Sequence, residues 1–145
     1  MCLKIRNGST TPSVAEEDIV CYKVLKRRTD VDKNVRYFAP IMDYEYIVGH
    51  ENRESTGWFG YPNDNMTYSG FHSFEYKSDA IKFIPRLVNN NFDLEGNLVV
   101  CKCTIPKNTR YYSGGVLYSF LDLVLPNGYC SEAIRIDEIV NENEE

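Results

Sequence analysis

Only one stretch of this chain has the periodicity of a surface helix, and that restricts the fold more than any other feature. Between Ser78 and Asn89, residues Ala80, Ile81, Ile84 and Leu87 fall on one face. Lys82, Arg86 and the preceding Lys77 lie away from it, and Phe83 widens the apolar stripe. Ser78 is the expected N-cap, with Asp79 placed to complement the helix dipole. Pro85 removes a backbone hydrogen bond, so the second half is expected to kink or to end early. Parallel strands need a crossover connection, usually a helix, and one helix cannot serve a parallel sheet. The expected class is therefore α+β: a twisted, mostly antiparallel sheet with one principal helix, about 78–89, packed on it.

The rest of the chain reads mainly as strands. Ile19 to Arg27 is apolar on both faces at its start, which suits a central strand. Gly96 to Ile105 is the strongest strand, alternating from Leu98 onward, with Val35–Phe38, 43–49, 110–112, 116–125 and 133–140 as further strands. Ser113-Gly114-Gly115 is expected to break one strand, and Pro126-Asn127-Gly128 to form a hairpin turn, Asn-Gly being favoured in type I′ turns. Residues 1–17 read as an edge strand or an arm, 50–69 as a long polar and glycine-rich loop or as two short strands around Trp58–Asp64, and 141–145 as a frayed acidic tail. At 145 residues, without repeat or linker, the chain is expected to form one domain.

Composition narrows the function classes. A formal charge of −5 is unlike the cationic footprint of a general nucleic-acid binder. Five cysteines, an odd number without a preceding secretory h-region, are expected as reduced thiols in a cytoplasm. Cys101 and Cys103 are two apart, on one face of a strand, and make no zinc knuckle; no metal site is expected. No run is long enough to span a membrane. Eleven tyrosines suit half-buried strands and contact surfaces.

Candidate chemistry gathers in three groups. Gly70 permits close approach of a ligand or backbone, and a helix N-terminus at Ser78 favours an anion. Together with the basic residues Lys23, Arg27 and Arg28, these are candidate ligand-binding positions for a small anion. His72 and Ser73 stand just before that helix and are candidate polar groups of a site. Trp58 with Tyr44, Tyr46, Tyr61, Tyr111 and Tyr112 forms a candidate contact surface, since aromatic anchors dominate many interfaces. There is no phosphate-binding loop, dinucleotide fingerprint or nucleophile elbow.

The run Cys21-Tyr22-Lys23-Val24-Leu25, then Gly70-Phe71-His72-Ser73-Phe74 before a helix, then Val99–Ile105 and Tyr129–Ile134, resembles a family of small uncharacterised proteins of bacteriophages and their hosts. More distantly, this order resembles the ADP-ribosyltransferases. That likeness implies an early-strand cation that holds NAD, a middle motif at Gly70–Ser73, and a catalytic glutamate at Glu132. His72, Ser73 and Glu132 are then the catalytic candidates, although the early strand lacks the His-Gly or Arg-Gly pair of those enzymes. Three functions follow. The first is a non-enzymatic binding or accessory protein, phage-encoded and acting on a host factor or host defence signal, without cofactor. The second is a divergent NAD-using ADP-ribosyltransferase. The third is a sponge for an anionic nucleotide.

Overall fold

The computed structural model describes residues 2–6, 11–40, 44–54, 59, 66–67, 69–117 and 124–140. In chain order the strands are β1 (Cys2–Ile5), β2 (Ser13–Val14), β3 (Ile19–Thr29), β4 (Val35–Phe38), β5 (Glu45–Tyr46), β6 (Glu51–Arg53), β7 (Met66–Thr67) and β8 (Phe71–Phe74). Helix α1 (Lys77–Asn90) and a 3-10 turn at Phe92–Leu94 follow. The chain then runs through β9 (Leu98–Ile105), β10 (Arg110–Leu117), β11 (Val124–Ser131) and β12 (Ala133–Val140). The protein is thus α+β, and every strand pairing among the described residues is antiparallel.

The sheet runs in the order β6-β12-β9-β3-β8-β11-β10-β1-β7, with β2 on β10 and the β4–β5 pair on the outer part of β3. Its two halves meet at a seam: β3 and β8 share a single residue pair, Tyr22–Phe74. β3 and β9, by contrast, pair through eight consecutive residues from Ile19–Ile105 to Lys26–Leu98. Alternation along these strands separates two cores. On one face Val24, Phe74, Leu98 and Val100 pack with Ala80, Phe83 and Leu87 of α1. On the other, Cys21, Leu25, Cys101, Cys103 and Ile105 pack with Phe71, Ile134, Ile136 and Tyr46.

Several sequence expectations are corrected by this arrangement. Tyr76, not Ser78, occupies the N-cap of α1 and makes no side-chain cap bond, while Ser78 lies inside the first turn and is exposed. The helix runs on past Pro85 to Asn90, because its apolar face stays buried beyond the missing bond. Residues 126–128 are not a turn but lie within β11, and Ser113–Gly115 does not break β10. Glycine is required there for close packing: a Cβ on Gly128 would lie 2.2 Å from the Val116 side chain, and one on Gly114 only 1.9 Å from the Lys4 carbonyl oxygen. β1 is not an arm but sits between β10 and β7. The expected strand 43–49 is confined to Glu45–Tyr46 among its described residues, and the 50–69 stretch carries β6 and β7. The acidic tail, 141–145, lies outside the described residues.

Candidate functional site

Strand register builds a polar row across the middle of the sheet. Lys23 pairs with Cys101, and the Tyr22–Phe74 pair brings Lys23 level with Ser73. Ser73 pairs with Tyr129, and Tyr129 with Ser113. All five side chains project to the face opposite α1, because they share the strand parity of Cys21, Leu25 and Phe71. Alternation alone would make each one residue in a half-buried strand; the register turns them into one row.

Lys23 is the anchor. Its side chain is buried, 6% exposed, and its Nζ donates to the His72 carbonyl at the seam. The same ammonium lies 5.4 Å from the centroid of the Tyr46 ring. Burial pulls the lysine pKa down, but Tyr46, Cys103, Cys101 and Cys21 together outweigh it, and the net direction is up. No carboxylate lies at ion-pair distance from Lys23 among the described residues. Tyr46 is pushed up, first by its own burial, with Lys23 opposing.

Three thiols surround this cation. The Sγ atoms of Cys101 and Cys103 are 3.6 Å apart, and Cys101 donates to the Lys23 carbonyl at 3.5 Å. Cys21 faces Cys103 across the β3–β9 ladder. Burial raises the Cys21 pKa; hydrogen bonding to Cys103 and Ser73 and the Lys23 charge overcome it, and the net direction is down. Cys103 goes the other way, raised well above the ordinary value by burial and by its two sulfur neighbours. The Ser73 hydroxyl is buried without a partner of ordinary hydrogen-bond geometry, yet lies near enough to Cys21 to favour its thiolate. Tyr129 is pushed up to about 12, by burial first and then by Glu75.

The candidate residues of the transferase reading are not brought together. His72 is buried on the opposite face from Ser73, paired with Cys130. Glu132 lies beyond the strand end, three residues from Tyr129, the partner of Ser73; that is about 10 Å along the strand. Its carboxylate accepts from Arg110 Nε and sits 3.7 Å from Arg53 Nη1. Its backbone ties the same corner, donating to the Arg110 carbonyl at 3.1 Å and accepting from Glu54 at 2.8 Å. Glu132 is a clasp between strands.

The anion-binding group is also dispersed. Arg27 and Arg28 are exposed on the β3–β4 hairpin, four and five residues on from Lys23, with Arg28 stacked 5.3 Å from the Phe38 ring centroid. Gly70 and Ser78 lie at opposite ends of β8. Of the contact surface, Tyr44 is 43% exposed and Tyr111 half-buried. Tyr46 and Tyr112 are interior residues, 6% and 3% exposed, withdrawn by packing against Phe71 and Phe59. Trp58 and Tyr61 lie outside the described residues.

Sequence reasoning passed over Cys21, Cys103 and Tyr129 as site residues. The shared face of Cys101 and Cys103 is legible from their spacing, but the opposition of Cys21 to Cys103 depends on a pairing that no local pattern encodes. No group of side chains suited to a metal ion occurs among the described residues, and no described helix is long and apolar enough to cross a membrane. Comparison with family models, with curated proteins and with solved structures finds nothing that matches this chain.

Proposed function

We propose that this chain is a non-enzymatic binding protein that engages a protein partner through the 44–48 segment. One observation carries the reading: a backbone-anchored turn presents Tyr44, Ile47 and Val48 to solvent at 43%, 55% and 39% exposure. The turn is held by Gly49 N–H donating to the Ile136 carbonyl at 2.7 Å and His50 N–H to the Ile47 carbonyl at 3.2 Å. The Tyr44 ring is braced against Tyr46 and Phe71, at centroid distances of 4.9 and 5.8 Å. An apolar knuckle already ordered before contact loses little conformational entropy on docking. The resemblance to phage proteins makes a host factor or host defence protein the first partner to seek.

The test is affinity capture from host lysate with the wild type and with an Ile47→Asp/Val48→Asp variant of unchanged melting temperature. A specific partner should be recovered by the wild type and at least about tenfold less by the variant, a loss of about 1.4 kcal/mol or more. Equal recovery removes the 44–48 segment from the interface.

The transferase-like alternative has one supporting observation, the placement of an early-strand cation, Lys23, level with Ser73 of the middle motif. Against it stands the engagement of Glu132 by two arginines. Thermal shift with NAD, ADP-ribose and anionic nucleotides separates the readings: stabilisation by NAD, with target labelling lost in Glu132→Gln, would replace the binding reading with the enzymatic one. Stabilisation by the nucleotides alone would support the sponge.

A further inference from the structure

We propose that Cys21 and Cys103 form a peroxide-oxidisable dithiol that closes into a cross-strand disulfide between β3 and β9. The two are directly opposed in an antiparallel ladder. Residues so opposed have Cα atoms about 4.5–5.5 Å apart, inside the ~4.4–6.8 Å range of disulfides, and Cβ atoms a short closure from the ~4 Å that the bond needs.

Among Cys21, Cys101, Cys103 and Cys130 the other pairings fail on geometry, Cys21 and Cys101 being diagonal across the ladder, about 7–8 Å apart. Cys101 and Cys103 touch through sulfur at 3.6 Å, but they are two residues apart on one strand. Their parallel Cα–Cβ bonds stay about 7 Å apart, too far for a disulfide without breaking the strand. Cys130 projects to the helix face, two strands from β3, and its thiol donates to the Ser69 carbonyl at 2.8 Å.

The surroundings supply the chemistry. The Lys23 ammonium and the Ser73 hydroxyl favour the anionic form of Cys21, and the thiolate is the nucleophile. Its sulfur attacks one oxygen of a hydroperoxide: the S–O bond forms, the O–O bond breaks, and the departing oxygen leaves as water or alcohol after taking a proton. The Cys103 sulfur then attacks the Cys21 sulfenic acid; the S–S bond forms, and the hydroxyl leaves as water with the Cys103 proton. Two thiols lose two electrons, and the peroxide gains them. Cys21 is fully buried, but it lies beside the seam where one residue pair joins β3 to β8, and its oxidation requires this short join to open transiently to a water-sized oxidant.

The experiment uses the full chain, reduced, exchanged into buffer without thiol, treated with hydrogen peroxide and then alkylated. Trypsin separates the three thiols, because cleavage after Lys23, Lys102 and Lys107 leaves Cys21, Cys101 and Cys103 on different peptides. The expected product is one linked pair, residues 7–23 with residues 103–107, lighter by two hydrogens and released by dithiothreitol. Cys101→Ala and Cys130→Ala should still form it. Absence of this linked pair under peroxide that oxidises a simple thiol overturns the proposal, as does a disulfide mapped mainly to Cys101 or Cys130. Because the linkage is read in the wild type, the result does not depend on any variant folding.

Discussion

Gly70 carries more constraint than its size suggests. Its φ of +102° is one that side-chain-bearing residues rarely adopt, and a Cβ there would meet Cys130 Sγ at 2.8 Å, the Ser131 carbonyl oxygen at 2.9 Å and the Phe59 ring at 3.0 Å. Gly49 has a similar φ, +86°, but open space around it. Gly70→Ala should therefore cost about 2–3 kcal/mol, strain and collision together, and Gly49→Ala about 1 kcal/mol from strain alone. Urea denaturation of the two variants measures the difference; equal costs would mean that the Phe59–Cys130 corner yields freely. The need for glycine at position 70 is legible in the sequence as a glycine before a Phe-rich strand. The burial of Lys23 is not, because its neighbours Lys26, Arg27 and Arg28 make it look like one more solvated cation.

At the scale of elements, α1 and β11 show local preference giving way to packing. Pro85 lacks the N–H that would bond back into the helix, and its own side chain is exposed. The helix survives because Ala80, Phe83 and Leu87, at 0%, 1% and 0% exposure, remain seated on both sides of it. Pro85→Ala should restore that bond at no packing cost and stabilise the protein by about 1–3 kcal/mol, read as an increase in denaturation midpoint. No change would mean that the helix bends around the proline without loss. In β11 the Asn127-Gly128 pair has the local signature of a tight turn. Pairing with β8 from Gly128 onward and the crowding of Gly128 by Val116 hold it extended instead. The turn signal is a local bias of about 1 kcal/mol or less, and ladder hydrogen bonds on both sides of a strand outweigh it.

For the whole molecule, the order of strands makes the chain's first residues structural. Leu3 is fully buried between β10 and β7, against Val116 and Thr67 in register. Leu3→Ala should destabilise by about 2–4 kcal/mol, whereas a residue of a loose arm would cost nearly nothing; an effect below about 0.5 kcal/mol in denaturant unfolding would return β1 to the status of an arm. The sequence by itself determined the class of fold, the amphipathic helix near residues 78–89, and which residues of each strand share a face, because a period of two or of 3.6 residues is a local property of the backbone. Only the tertiary structure decided that Lys23, Cys21, Cys103, Ser73 and Tyr129 stand together, that Glu132 is clasped by arginines, and that Tyr44 is outside while Tyr46 is inside. Register and strand order are set by the combined burial of the entire sheet, and a shift of one residue, invisible to any local pattern, would turn each of those side chains to the other face.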